Sequence, residues 1–74
     1  MVVKMERLTT TMRVHRARMD LTQAGLAQLA GITRKSINAI ETGQMVPSTV
    51  LALKLARTLG LTVEELFALE LNAD

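Results

Sequence analysis

Apolar positions recur at three- and four-residue spacings along most of the chain, which predicts helices that each bury one face. Gly31, Gly43 and Gly60 each follow such a segment and suit the left-handed position after a helix. A serine or threonine stands where the segments begin, because its oxygen can accept the free N–H groups of a first turn. The pattern predicts five helices, and "MVV" at residues 1–3 is the only weak strand signal.

The predicted helices, in chain order, are Leu8 or Thr9 to Met19, Gln23 to Ala30, Arg34 to Glu41 or Thr42, Ser48 or Thr49 to the residue before Gly60, and a fifth that begins after Thr62. The fifth starts with "TVEE", in which a threonine and a glutamate three residues later form a capping box. Only Gly31, Ile32 and Thr33 separate the second and third helices. A short turn with glycine between two helices is the helix-turn-helix arrangement.

Length and composition exclude several classes of protein. A chain of 74 residues makes one domain at most. It has no cysteine, so we expect neither disulfides nor thiolate metal sites. With one histidine, scattered acids and no phosphate-binding glycine loop, we expect no enzyme, no metal and no cofactor. No apolar run approaches the roughly 20 residues of a membrane span, and we expect a cytoplasmic protein.

The net charge of +2 conceals an uneven distribution. Residues 1–57 contain nine bases and three acids, a balance of +6, whereas residues 58–74 contain four acids and no base, a balance of −4. A basic body with an acidic end is typical of a protein whose one surface meets a polyanion. An ordinary solvated charge distribution gives the same counts, so charge alone leaves nucleic acid as one of two interpretations.

The third predicted helix, within "TRKSINAIETG" of residues 33–43, has two different faces. At about 100° per residue, Ile37 and Ile40 fall on one half of the helix. The other half carries the residues that we expect to read bases, namely Arg34, Lys35, Asn38 and Ala39. A helix in the major groove presents its first turns to base edges. Arginine and lysine can donate to guanine, and asparagine can pair with adenine.

Contacts to DNA phosphates should come from polar residues at or near the ends of helices, where free N–H groups bind anions. The candidates are Gln23, Thr22, Ser36, Thr42, Gln44 and Ser48. Gln23 could donate an amide hydrogen to a phosphate. Each of these residues could equally be an ordinary helix cap.

These residues resemble a known family. The segment "LTQAGLAQLAGITRKSINAIETGQMVPSTVLALKLARTLGLTVEELF" is similar to the phage-repressor and Cro-type helix-turn-helix family, also called XRE-type. The likeness covers about residues 8–69 and is greatest to small stand-alone bacterial and archaeal regulators. It implies an all-α, compact five-helix, lambda-repressor-like DNA-binding domain at residues 8–69, with a helix-turn-helix in helices 2 and 3. Residues 1–7 are then an extension or arm, and residues 70–74 a C-terminal tail.

The resemblance also implies roles for single residues. Gln23 becomes a phosphate contact, and Arg34, Lys35, Asn38 and Ala39 become the base-facing set. An ion pair between Arg16 and Glu41 would hold an acid close to DNA and fix the helices. Lys35 stands where glutamine is frequent in the family, so we expect the preferred base to differ from that of relatives.

Both ends of the chain raise questions of assembly. Phe67, Leu69 and Leu71 exceed what one short helix can bury, and exposed apolar clusters often mark interfaces. We therefore expect a two-fold homodimer through helix 5 and the tail. For residues 1–7 three alternatives remain open: a basic arm in the minor groove, a disordered tail, or a segment that pairs with a partner chain.

The leading hypothesis is a sequence-specific regulator of transcription that binds double-stranded DNA. It would act as a repressor on a palindromic operator, as a homodimer with helix 3 in the major groove. The alternative is an antitoxin-like or controller protein whose main partner is another protein.

Overall fold

The computed structural model describes residues 5–72 and contains five helices and two strands within them. Their bounds, in chain order, are β1 Met5–Thr10, α1 Met12–Arg18, α2 Gln23–Ala30, α3 Arg34–Glu41, α4 Thr49–Thr58, α5 Val63–Leu66 and β2 Phe67–Asn72. The helices surround one apolar core, and the strands, which come from opposite ends of the chain, pair beside it. None of the helices in this part of the chain is long and apolar enough to cross a membrane.

Each helix contributes at least one side chain to the core. The largest fully buried side chains come one from each helix: Met12, Leu26, Ile37, Leu55 and Leu66. Smaller residues fill the spaces between them, namely Ala27, Ala30 and Ala56. The short helices α2 and α3 are therefore held by burial of apolar area, because isolated helices of this length are marginal in water.

Sequence-based expectations for α2, α3 and α4 are confirmed. The hydroxyl oxygens of Thr22, Thr33 and Ser48 accept the backbone N–H of the residue three positions on, at distances from the N of Gly25, Ser36 and Leu51 of 2.9, 3.1 and 3.1 Å. The capping box is also present, since Thr62 and Glu65 bond reciprocally. These caps begin the helices that carry the candidate DNA contacts.

The prediction of an all-α fold is wrong, because β1 and β2 form a two-stranded antiparallel sheet, which we call the ribbon. Leu8 lies opposite Leu69, and Thr10 lies opposite Phe67. In the segment "FALELN" large apolar residues alternate with small or polar ones, which is the period-two pattern of a strand. We expected helix 5 to continue here. The weak strand signal at residues 1–3 lies outside the described residues.

A run of three threonines connects the ribbon to α5. The hydroxyls of Thr9, Thr10 and Thr11 donate to the backbone oxygens of Ala68, Leu66 and Glu65, at 3.2, 2.9 and 3.0 Å. Two of these carbonyls, of Glu65 and Leu66, lie at the end of α5, and the third, of Ala68, lies in β2. The bonds therefore tie the end of β1 to the junction of α5 and β2. Because β-branched threonine favours strands over helices, the first helix begins at Met12 rather than at the expected Leu8 or Thr9.

The ribbon also changes the description of both chain ends. Residues 5–7, which we expected in an N-terminal extension or arm, lie in β1, and residues 70–72, which we expected in a C-terminal tail, lie in β2. Arg7 pairs with Glu70 at 3.1 Å on the exposed surface of the ribbon. Lys4, the other base of the proposed arm, lies outside the described residues.

Candidate nucleic-acid interface

The turn between α2 and α3 fixes the angle between these helices. Gly31 has φ 70°, a left-handed conformation that favours glycine, and the N–H of Ile32 returns to the Ala27 oxygen at 3.0 Å. The Ile32 side chain packs against the core. The glycine thus allows the sharp change of direction that the sequence predicts, and the isoleucine fixes the turn to the core. The buried face of α3 then holds this helix on the surface of the domain.

The two faces of α3 are separated as the helical spacing predicts. Ile37 and Ile40 lie in the core, with 0% and 3% of their area exposed. Arg34, Lys35 and Asn38 are exposed. Ala39, the fourth residue of the expected base-reading set, is half-buried. No acidic side chain among residues 6–70 pairs with Arg34 or Lys35, so both cations are available to a polyanion.

The ion pair that the resemblance implies between Arg16 and Glu41 is present. The Arg16 guanidinium contacts both carboxylate oxygens, with Nε to Oε2 at 2.8 Å and Nη2 to Oε1 at 3.2 Å. Its Nη1 also donates to the Leu21 oxygen at 2.9 Å. Only 1% of the Glu41 side chain and 15% of the Arg16 side chain is exposed. A two-pronged pair of this kind fixes orientation as well as charge, so it ties α1 to the end of α3.

The Glu41 carboxylate is ionised at neutral pH despite its burial. Burial by itself would raise its pKa, but hydrogen bonds from Arg16 and Gln23 and the charges of Arg16 and Arg13 outweigh burial. The pKa of Glu41 therefore lies below its ordinary value of 4.5. The Arg13 guanidinium, an exposed group 3.8 Å away, was not expected to take part.

Gln23 has a role inside the protein that the sequence did not indicate. Its Nε2 atom donates to Glu41 Oε1 at 2.9 Å and to Asn38 Oδ1 at 3.2 Å. Both amide hydrogens are thus used within the protein, and in this conformation the side chain has no hydrogen left for a phosphate. The predicted phosphate contact of Gln23 stays a prediction, and the backbone N–H in the first turn of α2 is the better donor for it.

The other residues predicted to contact phosphates differ in whether their side chains still have a hydrogen to donate. Thr42 donates its hydroxyl hydrogen to the backbone oxygen of Asn38 at 2.8 Å, so this hydrogen is used within α3. Thr22 and Ser48 accept from their capping partners and keep their own hydroxyl hydrogens. Ser36 accepts from Thr33 at 2.9 Å. Thr22, Ser36, Ser48 and the exposed Gln44 therefore remain candidate donors.

The three residues expected at a dimer interface do not share one environment. Phe67 is 8% exposed and belongs to the core, so it cannot serve as an exposed anchor as we expected. Leu69, two positions further along β2, is 67% exposed. The side chain of Leu71 lies outside the described part of the chain. Strand alternation puts Phe67 and Leu69 on the same face of β2, so the face does not explain the difference. Phe67 directly follows α5 and packs into the core, whereas the ribbon has passed the core at Leu69.

Comparisons with known proteins agree with this geometry. A helix-turn-helix family model matches residues 12–66. An uncharacterized HTH-type transcriptional regulator of Methanothermobacter thermautotrophicus is 42% identical over 64 residues, which are 85% of this chain and 93% of that protein. The HTH-type transcriptional regulator YgzD of Bacillus subtilis, also uncharacterized, is 42% identical over 55 residues. These residues are 74% of this chain and 83% of YgzD.

A solved structure shows the same likeness. The restriction-modification controller protein C.AhdI from Aeromonas hydrophila superposes with a TM-score of 0.69 at 37% sequence identity. The match covers 73% of this chain and 82% of that one.

Proposed function

This chain belongs to the XRE-type helix-turn-helix family of DNA-binding transcriptional regulators, and from that premise we propose a sequence-specific repressor that binds a palindromic operator as a homodimer. One observation carries the proposal. The outer face of α3 exposes Arg34, Lys35 and Asn38, while its inner face is anchored in the core. In the proposed complex α3 enters the major groove, and repression results from occupancy of the operator.

Binding to DNA is tested by removing the two free cations of α3. We expect the double variant Arg34→Ala, Lys35→Ala to lose its preference for a selected duplex, since good base contacts each discriminate by about 1–3 kcal/mol. The matched control is Lys54→Ala, Arg57→Ala, which removes the same charge from α4. Selection from random duplexes followed by titration at physiological salt measures both variants. Equal affinity of the wild type for selected and random duplexes would contradict the proposal.

The dimer is supported by an apolar surface away from the outer face of α3. A groove beside the ribbon is lined by apolar side chains that include Leu8, Leu53 and Val63. Val46, on its rim, is 72% exposed, and Leu53 is 57% exposed. Leu69 adds an exposed leucine to the ribbon. A second copy would cover this surface reciprocally, as a two-fold interface requires, and would place the two α3 helices about 34 Å apart.

The dimer is tested with Leu69→Lys. We expect the substitution to weaken self-association by at least about fivefold, because the loss of a central interface residue commonly costs more than about 1 kcal/mol. Leu29→Lys, which changes a comparably exposed leucine on α2, is the matched control. Sedimentation over micromolar concentrations measures the association. A wild type that stays monomeric there would contradict the dimer without contradicting DNA binding.

A second candidate is a controller or antitoxin-like protein whose main partner is another protein. The likeness to a restriction-modification controller protein favours the controller class, and the apolar groove beside the ribbon is the surface that a protein partner would cover. The Arg34→Ala, Lys35→Ala variant separates the two candidates. It should retain binding to a protein partner while it loses DNA, whereas a repressor would lose its only activity.

A further inference from the structure

A chain of hydrogen bonds runs from the buried ion pair to the outer face of α3. It begins at Glu41, whose carboxylate has only acceptor oxygens when ionised. Gln23 lies 2.9 Å from that carboxylate through its Nε2 atom and 3.2 Å from Asn38 through the same atom. Three side chains from two helices are thus connected, and the last of them is a predicted base-reading residue.

The charge on Glu41 determines which way round the Gln23 amide must lie. The two ends of an amide group have nearly the same shape, so its orientation is decided by the groups that it bonds. A carboxylate can only accept, so the amide must direct its NH₂ group toward Glu41. The opposite orientation would place the Gln23 oxygen against the carboxylate oxygen. Burial makes such an unsatisfied contact costly, since the Glu41 side chain is 1% exposed.

The orientation of Gln23 in turn determines that of Asn38. The second hydrogen of the Gln23 NH₂ group needs an acceptor, and the Asn38 atom that meets it is Oδ1. The Asn38 oxygen is therefore turned toward α2. Its NH₂ group is left without a partner in any hydrogen bond among residues 5–72. Because an amide is planar, an oxygen turned toward α2 cannot share one base edge with the nitrogen.

We propose that Glu41, acting through Gln23, makes Asn38 a hydrogen-bond donor only, so that Asn38 loses the two-point contact that selects adenine and prefers guanine. The two-point contact with adenine requires both the oxygen and the nitrogen of the amide. A donor alone meets one adenine acceptor, N7, beside the adenine amino donor, whereas guanine offers two acceptors, O6 and N7. Gln23 and Glu41 are positioning residues in this arrangement. The inference rests on the proposed binding of α3 in the major groove.

The experiment first locates the base pair that Asn38 contacts. Asn38→Ala should abolish the preference at one position of the selected duplex and leave the others unchanged. At that position the wild type should bind guanine at least about fivefold more tightly than adenine, the lower limit for a good base contact. A wild-type preference for adenine there, or no position that depends on Asn38, would overturn the inference.

The second step breaks the connection while Asn38 is kept. Gln23→Met has a similar volume but no amide, so the Asn38 side chain can turn over. The ratio of the affinities for guanine and adenine at that position should then fall close to one, because the freed amide can make the two-point contact with adenine. Preferences at positions that Arg34 reads should persist. Gln28→Met, the same substitution at an exposed residue of α2, should change nothing. Circular dichroism checks that both variants are folded.

The outcomes separate this inference from the function on which it rests. An unchanged preference in Gln23→Met, with specific binding intact, would overturn the inference alone. A wild type that selects no duplex would overturn the proposed function, and the assignment of a base preference to Asn38 would fail with it.

Discussion

Two glutamates in this chain pair with arginines, and their surroundings differ. Glu41 ends α3 and meets Arg16 with its side chain 1% exposed. Glu70 lies on the ribbon and meets Arg7 with its side chain 58% exposed. Only the first pair joins a wider network, in which Gln23 also bonds the carboxylate. A buried pair with additional hydrogen bonds fixes geometry, whereas an exposed pair contributes little.

The region around α3 and the ribbon are consequently held by different interactions. At α3, polar groups are tied together beneath the surface. Above it lie the exposed Arg34 and Lys35, which pair with no acidic side chain of residues 6–70. At the ribbon, threonine hydroxyls bond backbone carbonyls, and leucine is left exposed on the surface. The first arrangement suits the recognition of a polyanion, and the second suits an apolar partner surface.

The largest expected effect comes from breaking the buried pair. Glu41→Gln leaves the Arg16 charge without a counter-ion, and loss of one partner of a buried pair costs about 3 kcal/mol or more. Glu70→Gln, the same change in the exposed pair, should lower the free energy of unfolding by less than about 0.5 kcal/mol. Urea unfolding of both variants measures the difference. Equal losses would contradict the distinction between the two regions.

A smaller effect is expected from the threonine bonds of the ribbon. Thr10 donates to the Leu66 oxygen and accepts from the Met12 N–H at 3.1 Å. Thr10→Val should remove both bonds and lower the free energy of unfolding by about 1–2 kcal/mol. Thr49→Val, at an exposed position of α4, is the control with the same change in side chain. If both variants unfold at the same urea concentration as the wild type, the threonine run is not what holds the ribbon.

The pH dependence of stability should sharpen the comparison further. Glu41 has a lowered pKa in the folded state, so it contributes stability that is present above pH 4.5 and is lost as the pH falls through the folded-state value. Glu65 also has a lowered pKa, because the Thr62 backbone N–H and hydroxyl bond its carboxylate. The free energy of unfolding should therefore fall as the pH drops below 4.5, because the unfolded chain binds these protons more readily than the folded one.

Substitution distinguishes the two carboxyls. Glu41→Gln should remove more of the acid-dependent loss than Glu65→Gln, because the Glu41 carboxylate is buried and multiply bonded whereas Glu65 is exposed. Urea unfolding at a series of pH values gives the slopes. If Glu65→Gln changes the pH dependence of the free energy of unfolding more than Glu41→Gln does, the α3 region does not dominate acid unfolding.

Much of the fold around α3 could be predicted from the sequence, because its determinants are local. The hydroxyl at Thr33, the left-handed Gly31 and the spacing of Ile37 and Ile40 act within a few residues of the helix that they define. These features also determined which side chains face outward. The Arg16–Glu41 pair was accessible only through resemblance, since the two residues are 25 positions apart.

Tertiary structure alone decided the ribbon and the internal bonds of the α3 region. A strand acquires its partner from across the chain, and the bonded residues Arg7 and Glu70 are separated by 63 positions. The alternation in β2 is a sequence signal, but pairing with β1 was needed to turn Phe67 into the core. The direction of the Gln23 amide has no sequence signal, because it follows from the charge of a glutamate that the fold brings beside it.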